Sequence, residues 1–195
     1  MSVEKTEKVN NFNENLQVTL EYAKEKSIKK ILIFTKDGDA AIEAKNKAGF
    51  GDIDIIAVSF PANEVLYVKN EEGEITEKQP ESSSPEVRKR LSENNIELVL
   101  SSMPFADIVI PGSSPNPYNI IEKSLSLVDE GLPLCVQSVL MATDNGYIIP
   151  GERVVSMISC TAIDASATNS RFLFHPKKGL KINSIISKKT QKKKT

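Results

Sequence analysis

Two short, wholly apolar runs constrain the fold of this chain more than any other feature of its 195 residues. Ile31–Phe34 and Ile55–Val58 contain no polar side chain. This is the pattern of strands that are covered on both faces, since a half-exposed strand would alternate apolar and polar residues. Strands of this kind belong to parallel sheets flanked by helices, so the runs predict an α/β fold.

Amphipathic stretches lie between these runs and are predicted to be helices. Leu16, Leu20 and Ala23 recur at helical spacing, so a helix is expected over residues 13–27 with Asn13 as its cap. Four further helices are predicted: one with Ala40, Ala44 and Ala48 on one face, one from Pro85 with Ser84 as its cap, one from Asn116 and Pro117 with Ile121, Leu125 and Val128 as its apolar stripe, and a buried one, Leu134–Asn145. The predicted extended segments are an exposed hairpin of Val65–Val68 and Gly73–Thr76, a strand Leu98–Leu100, and the segments Arg153–Ser159, Arg171–Phe174 and Leu180–Ile186. Gln79–Ser84 is predicted to be a linker-like stretch. Phe105–Gly112 is open between strand and loop, and Pro111–Pro115 is expected to be a plain connector.

The chain is long enough for one domain with a sizeable core, expected over residues 12–187 after an N-terminal extension of residues 1–11. The lysine-rich residues 188–195 are expected to form a disordered basic tail. A formal charge of -1 favours neither a nucleic acid nor a membrane as partner. The first residues lack the apolar core of an export signal. Cys135 and Cys160 are too few for a disulfide framework or a zinc site, so they are expected to be reduced thiols in a cytoplasmic protein.

A polar turn follows the first apolar run and consists of Thr35, Lys36, Asp37, Gly38 and Asp39. Lys36 and Gly38 at the start of a helix could bind an anion. The alternative is a plain strand-to-helix turn in which Asp39 caps the helix, and the two carboxylates favour it. Asp37 and Asp39 could also bind a hard cation or serve as acid and base, although paired carboxylates are common in loops and cation sites usually need three or more oxygen ligands.

A second polar segment, Ser159–Asp164, is predicted to be a loop between two strands. Cys160 could act there as a nucleophile, but a buried structural thiol is favoured because no basic group is evident nearby. Asn169 and Ser170 open the next predicted strand, where they satisfy backbone groups, line a cleft, or do both. His175, the only histidine, is expected to be a packed or partly exposed residue at a strand end rather than a catalytic base.

Four segments resemble the C-terminal α/β domain of pyruvate kinase, and more closely the small stand-alone proteins built from that domain alone. They are Asn15 with Thr19 and Leu20, ILIFTKDGDAA from Ile31, VQSVLMATDNGYI from Val136 to Ile148, and ERVVSMISCTAIDASATNS from Glu152. The resemblance implies a three-layer Rossmann-like sandwich, with a mostly parallel sheet of about five strands and an antiparallel edge.

The resemblance also implies where a ligand binds. In pyruvate kinases that respond to sugar bisphosphates, the turn after the first strand and the loop before the last strand hold the phosphates, and similar stand-alone proteins hold flavin mononucleotide (FMN) near the corresponding place. The matching residues here are Thr35, Lys36, Asp37, Gly38, Asp39, Ser159, Cys160, Thr161, Asp164 and Asn169. The chain departs from the family because carboxylates flank Gly38 and because Cys160–Ala165 lacks the family's glycines. Carboxylates oppose a phosphate, so weaker phosphate binding or a neutral or cationic ligand is expected.

The sequence therefore suggests a regulatory module that binds a small molecule and lacks pyruvate kinase activity, since the chain resembles only the non-catalytic domain. Two alternatives remain open. One is a homo-oligomeric scaffold with a degenerate ligand site, because the pyruvate kinase domain contributes to subunit contacts. The other is a small hydrolase or transferase that uses Cys160, Asp164 and His175.

Overall fold

A computed structural model of the protein describes residues 6–49, 51–70, 73–106 and 118–190. The described elements are, in chain order, β1 (Glu7–Val9), α1 (Phe12–Glu25), β2 (Lys30–Phe34), α2 (Asp39–Ala48), β3 (Asp54–Ser59), β4 (Leu66–Lys69), β5 (Ile75–Lys78), α3 (Pro85–Glu93), β6 (Glu97–Leu100), α4 (Tyr118–Ser126), α5 (Leu132–Asp144), β7 (Arg153–Ile158), β8 (Thr161–Ser166) and β9 (Lys181–Lys189). Short 3₁₀ turns occur at Glu81–Ser83 and Ser170–Phe172.

The main sheet has seven strands in the order β1-β9-β8-β7-β2-β3-β6, and β4 pairs with β5 in a separate antiparallel hairpin. Neighbouring strands are parallel except at β8, which is antiparallel to both β7 and β9. The predicted α/β class, with a mainly parallel sheet and an antiparallel edge region, is confirmed. The sheet is larger than the five strands expected, because β1 and β8 come from segments that were assigned to an extension and a loop.

Helices cover both faces of the sheet and give three layers. On one face, α1, α2 and α3 contribute Leu16, Ala44 and Leu91 to a core with the inward side chains of β2 and β3. On the other face, α5 contributes Leu140, and α4 packs beside it. Burial is complete on both sides of the central strands, which explains why β2 and β3 read as continuous apolar runs.

The cap of helix α1 lies two residues earlier than its sequence suggests. The side chain of Asn11 accepts a hydrogen bond from the Glu14 backbone N–H at 3.0 Å, and the Glu14 carboxylate accepts one from the Asn10 backbone N–H at 2.8 Å. This pair is a variant of the capping box, in which the Glu14 carboxylate bonds the residue before the cap and not the cap itself. Asn13, the expected cap, lies inside the helix.

Three sequence-based assignments are wrong. Ser159–Asp164 is not a loop over its whole length, since Thr161 already begins β8. Arg171–Phe174 is not a strand but a 3₁₀ turn and its exit, in which Leu173 packs against the core. In α4, Ile121 and Leu125 face the core as expected, whereas Val128 lies beyond the helix end and is 49% exposed.

The sheet extends past the expected domain bounds at both ends. Glu7–Val9 pairs in parallel with Ser187, Lys188 and Lys189, so the first residues of the expected lysine tail belong to β9. The predictions for residues 107–117, which include most of Phe105–Gly112, the connector and the start of the helix at Asn116 and Pro117, lie outside the described residues, as does the tail beyond Thr190.

Candidate functional site

The carboxyl ends of β2 and β7 form the candidate site. The two strands are neighbours and parallel, with Ile33 opposite Met157, so Thr35 and Ser159 lie at equivalent positions just beyond the strand ends. The chain leaves β2 toward β3 and leaves β7 toward β8, on opposite sides of this point. The connections that leave β2 and β7 therefore diverge and leave a gap between the two strand ends. In α/β sheets, ligands bind in gaps of this kind.

The turn after β2 is held by its own side chains. The hydroxyl of Thr35 accepts a hydrogen bond from the Gly38 backbone N–H at 3.0 Å and donates one to the Asp37 carboxylate at 3.2 Å. The same carboxylate accepts the backbone N–H of Asp39 at 3.2 Å. Gly38 is the N-cap of α2 with φ of 83°, a backbone conformation that favours glycine, so Asp39 begins the helix and does not cap it as one alternative had it.

Asp37 thus supplies a negative charge at the start of α2, where a bound phosphate would otherwise accept backbone N–H groups. Lys36 is exposed beside it. Asp39 forms an ion pair with Arg90 of α3, and this hydrogen-bonded contact raises the pKa of the Arg90 guanidinium. The turn therefore has an internal anion and a second carboxylate that is already paired with a cation.

A buried set of hydroxyls fixes the turn from beneath. Ser59 Oγ, at the end of β3, lies 2.5 Å from the Thr35 carbonyl oxygen and 2.6 Å from Ser82 Oγ. The Ser82 backbone N–H donates to the Lys36 carbonyl at 2.8 Å. Ser82 comes from the stretch that sequence reasoning treated as a linker. No local signal in the sequence marks this role, because the contact joins residues that are 23 positions apart.

The turn between β7 and β8 lies beside the turn after β2 at this edge of the sheet. Ser159 and Cys160 are its two residues, since Ile158 and Thr161 already pair. Ser159 has φ of 44°, which is unfavourable for a residue with a side chain. The side chain of Asn15 in α1 donates to the Ser159 carbonyl at 2.8 Å and holds the turn in place.

Thr161 and the start of α5 are joined by one carboxylate. Asp129 accepts hydrogen bonds from the Thr161 hydroxyl and, at 2.9 Å, from the Gly131 backbone N–H. A carboxylate of the chain thus accepts a backbone N–H at or just before the start of three helices: Glu14 at α1, Asp37 at α2 and Asp129 at α5. This edge of the sheet is arranged to satisfy its helix starts from within.

Neither cysteine has the surroundings of a nucleophile. Cys135 is completely buried in α5, and burial raises the pKa of its thiol to about 12. Cys160 is 7% exposed, and its sulfur lies 3.8 Å from Ser159 Oγ. A hydrogen bond from a hydroxyl stabilises a thiolate only weakly. Both cysteines therefore act as small apolar side chains in this structure.

Asp164 lies away from the crevice, under α1. It pairs with Val155 within the sheet and is fully buried, where its carboxylate accepts hydrogen bonds from Arg153, Tyr22 and Asn183. Burial raises the pKa of this carboxyl, but the hydrogen bonds from Arg153, Asn183 and Tyr22 outweigh it and leave the pKa below its usual value. The arrangement is a satisfied buried ion pair.

Asn169 and His175 lie at the opposite edge of the sheet. Asn169 follows the end of β8, and its side-chain amide donates to Asp144 at the end of α5. The ring nitrogen Nδ1 of His175 accepts the backbone N–H groups of Lys177 and Lys178. The structure thus brings together Thr35–Asp39 with Ser159, Cys160 and Thr161. It does not bring Asp164 or Asn169 to them, and Cys160, Asp164 and His175 do not form one site.

Among the described residues, no group of three or more His, Cys, Asp and Glu side chains is arranged to hold a metal ion. In the same part of the chain, no helix combines the length and apolar character needed to cross a bilayer.

The fold and this crevice define an α/β layered protein with a candidate small-molecule site. No protein-family model and no curated protein matches the chain. Solved structures that it is similar to include two of pyruvate kinase from Cryptosporidium parvum, both with a TM-score of 0.36 and 15% sequence identity. They cover 76% and 75% of this chain, but only 21% and 20% of the pyruvate kinase. The chain spans about a fifth of the length of these enzymes.

Proposed function

We propose that this protein is a regulatory module that binds a small molecule in the crevice between the turn Thr35–Asp39 and the turn Ser159–Thr161. The observation that carries the proposal is the meeting of two polar turns at neighbouring strand ends from which the chain departs in opposite directions. The unfavourable backbone of Ser159 supports it, because strained residues cluster at functional sites.

The ligand is a neutral or cationic polar molecule. Asp37 accepts the Asp39 backbone N–H and so occupies a position from which a phosphate would bind α2. A phosphate placed beside this carboxylate would be repelled, and Lys36 is the one basic side chain of the turn. A phosphorylated ligand such as FMN or a sugar phosphate, which the family resemblance implies, fits these contacts less well.

The module has no pyruvate kinase activity of its own. The resemblance is to a non-catalytic domain, and Cys160, Asp164 and His175, which a hydrolase or transferase would need together, lie apart. A coupled assay with phosphoenolpyruvate and ADP is expected to give no turnover above background. Phosphotransfer from phosphoenolpyruvate to ADP that rises with protein concentration would contradict this.

Amide-resolved NMR spectroscopy tests the position of the site. A library of small neutral and cationic compounds is added to the protein, and hits are expected to shift the signals of residues 35–39 and 159–161. A Ser159→Gly variant should weaken those hits, whereas Ser27→Gly, at another residue with positive φ (54°) at the end of α1, should not. Hits that map only elsewhere, or that are insensitive to Ser159, would refute the proposal.

Self-association is a second proposal, favoured by α4 and the residues after it. Tyr118, Ile120, Leu127 and Val128 are 55%, 67%, 89% and 49% exposed in the described structure. Single exposed apolar residues are ordinary, but four in eleven residues form a cluster typical of interfaces. Light scattering is expected to report a homo-oligomer that an Ile120→Lys, Leu127→Lys double variant reduces to a monomer. A monomeric parent protein at micromolar concentration would contradict this second proposal and leave the ligand site untouched.

A further inference from the structure

Charge is divided unevenly along this chain. A net charge of -1 predicts no anionic partner, but up to Asp164 the chain has 16 basic and 26 acidic residues, and after Asp164 it has nine basic residues and no acidic ones. The last 31 residues are therefore a positively charged segment on a negatively charged protein. Such separation produces a local field that the net charge conceals.

The basic aromatic loop, residues 170–181, concentrates this charge between the 3₁₀ turn and the start of β9. Four cationic side chains, Arg171, Lys177, Lys178 and Lys181, are exposed there. Phe174 lies between them in the chain and is 75% exposed, while Phe172 is 42% exposed. Two exposed Phe rings in a segment with four exposed cations indicate a partner that offers both apolar and anionic groups.

Contacts within the loop and with the core fix its ends. Leu173 and Leu180 pack against the core, and the Leu180 backbone N–H donates to the Leu173 carbonyl at 3.2 Å. The His175 backbone accepts from Gly179 at 2.8 Å, and its ring meets that of Phe172 edge to face at 5.9 Å. Because Leu173 packs against the core, Phe172 and Phe174 on either side of it are exposed.

We propose that the basic aromatic loop binds the surface of an anionic lipid bilayer. Lysine and arginine side chains would lie at the level of the headgroups, and Phe174 would enter the boundary between headgroups and acyl chains. The binding is reversible, because one small loop contributes much less apolar area than an amphipathic helix or two lipid anchors. This site is independent of the proposed ligand crevice, which lies at the other edge of the sheet.

The geometry favours a bilayer over a nucleic acid strand. A strand needs a groove of cations that follows several phosphates, with rings presented face outward for stacking. The loop instead places its cations on both sides of the two Phe residues, and the Phe172 ring is already engaged by His175. One acidic side chain, Asp144, is hydrogen-bonded at the base of the loop. It accepts hydrogen bonds from the Asn169 side-chain amide and from the Ser170 backbone N–H.

Sedimentation with lipid vesicles tests the proposal. At low ionic strength the protein is expected to bind phosphatidylcholine vesicles that contain roughly one-third phosphatidylserine, and not vesicles of phosphatidylcholine alone. Binding should be lost at roughly 0.5 M salt. Phe174→Ser should weaken it about tenfold or more, and Lys177→Glu with Lys178→Glu should weaken it by more than about tenfold.

Two matched variants separate the loop from general effects. Tyr67→Ser removes another exposed ring, 70% exposed on the β4–β5 hairpin, and Arg88→Glu with Lys89→Glu makes the same charge change on α3. Both are expected to bind vesicles like the parent, and thermal melting should show that every variant is folded. The proposal would be overturned by equal losses of binding in these controls, by equal binding to neutral vesicles, or by no binding to vesicles at all. Tight binding to a single-stranded oligonucleotide but not to vesicles would also overturn it.

Discussion

At the scale of single residues, the polar side chains that matter are satisfied by partners distant in sequence. Asp164 illustrates this, since Tyr22, Arg153 and Asn183 come from α1, β7 and β9. A carboxylate within TAIDAS suggests a loop when only its neighbours are considered. The three donors explain why this carboxylate can be buried. No local pattern in the sequence predicts these donors.

Replacing Asp164 by Asn should lower the free energy of unfolding by about 2 kcal/mol at neutral pH, because Arg153 loses its ionised partner but remains partly hydrated. The lowered pKa of Asp164 means that its contribution is complete above the unfolded value of about 3.9 and disappears as pH falls through the folded value. Urea unfolding of parent and variant should therefore converge in acid. Asp54→Asn, at an exposed carboxylate at the start of β3, is the control and should change little. A difference that does not shrink as the pH falls below the unfolded value of about 3.9 would contradict the assignment of this pH dependence to Asp164.

Ser159→Gly should raise the free energy of unfolding by about 0.5 kcal/mol. Glycine removes the cost of a positive φ, and the larger backbone entropy of the unfolded chain offsets part of that gain. Chemical denaturation measures the change, and Ser27→Gly provides a matched second site. A loss of stability at position 159 would mean that the Ser159 side chain contributes more than its backbone costs.

At the scale of elements, apolar pattern predicted what the sheet and helices bury. The runs in β2 and β3, the buried helix α5, and the cap Ser84 with Pro85 at the start of α3 were all correctly predicted. Strand β1 was missed, since three residues with two exposed side chains carry no pattern. The aromatic alternation of Arg171–Phe174 resembled a strand, but Leu173 alone packs inward there.

Gly131→Ala tests how closely α5 approaches the turn after β7. An added Cβ would lie 2.7 Å from Thr161 Cβ and 3.1 Å from Ile158 Cγ2, so α5 would have to move. We expect a loss of about 1–3 kcal/mol in the free energy of unfolding, measured by urea denaturation. Gly51→Ala is the control, because its nearest contact would be the Ala48 carbonyl oxygen at 3.4 Å. Equal stability of both variants would show that the helix start adjusts freely.

At the scale of the whole molecule, the order of the elements determined the fold class, whereas the site was only partly predictable. The two turns could be identified because both lie at the ends of predicted strands and match the ligand segments that the resemblance implies, and the structure adds that these strands are parallel neighbours. Asp164 and Asn169 were grouped with them by resemblance, but β8 carries the chain from one edge of the sheet to the other between Thr161 and Ser166. The hydroxyls of Ser59 and Ser82 were missed because their role depends on tertiary contact alone.

We propose that the Asp37 carboxylate occupies the position that a phosphate would take at the start of α2. Calorimetric titration with FMN and with inorganic phosphate tests this in the parent protein and in Asp37→Ser. Glu43→Ser, which removes a half-exposed carboxylate of α2, is the charge-matched control. We predict no measurable binding to the parent or to the control, and a gain of binding in Asp37→Ser. A yellow, stoichiometric FMN complex of the parent protein, or an Asp37→Ser variant that binds no phosphate, would contradict the account.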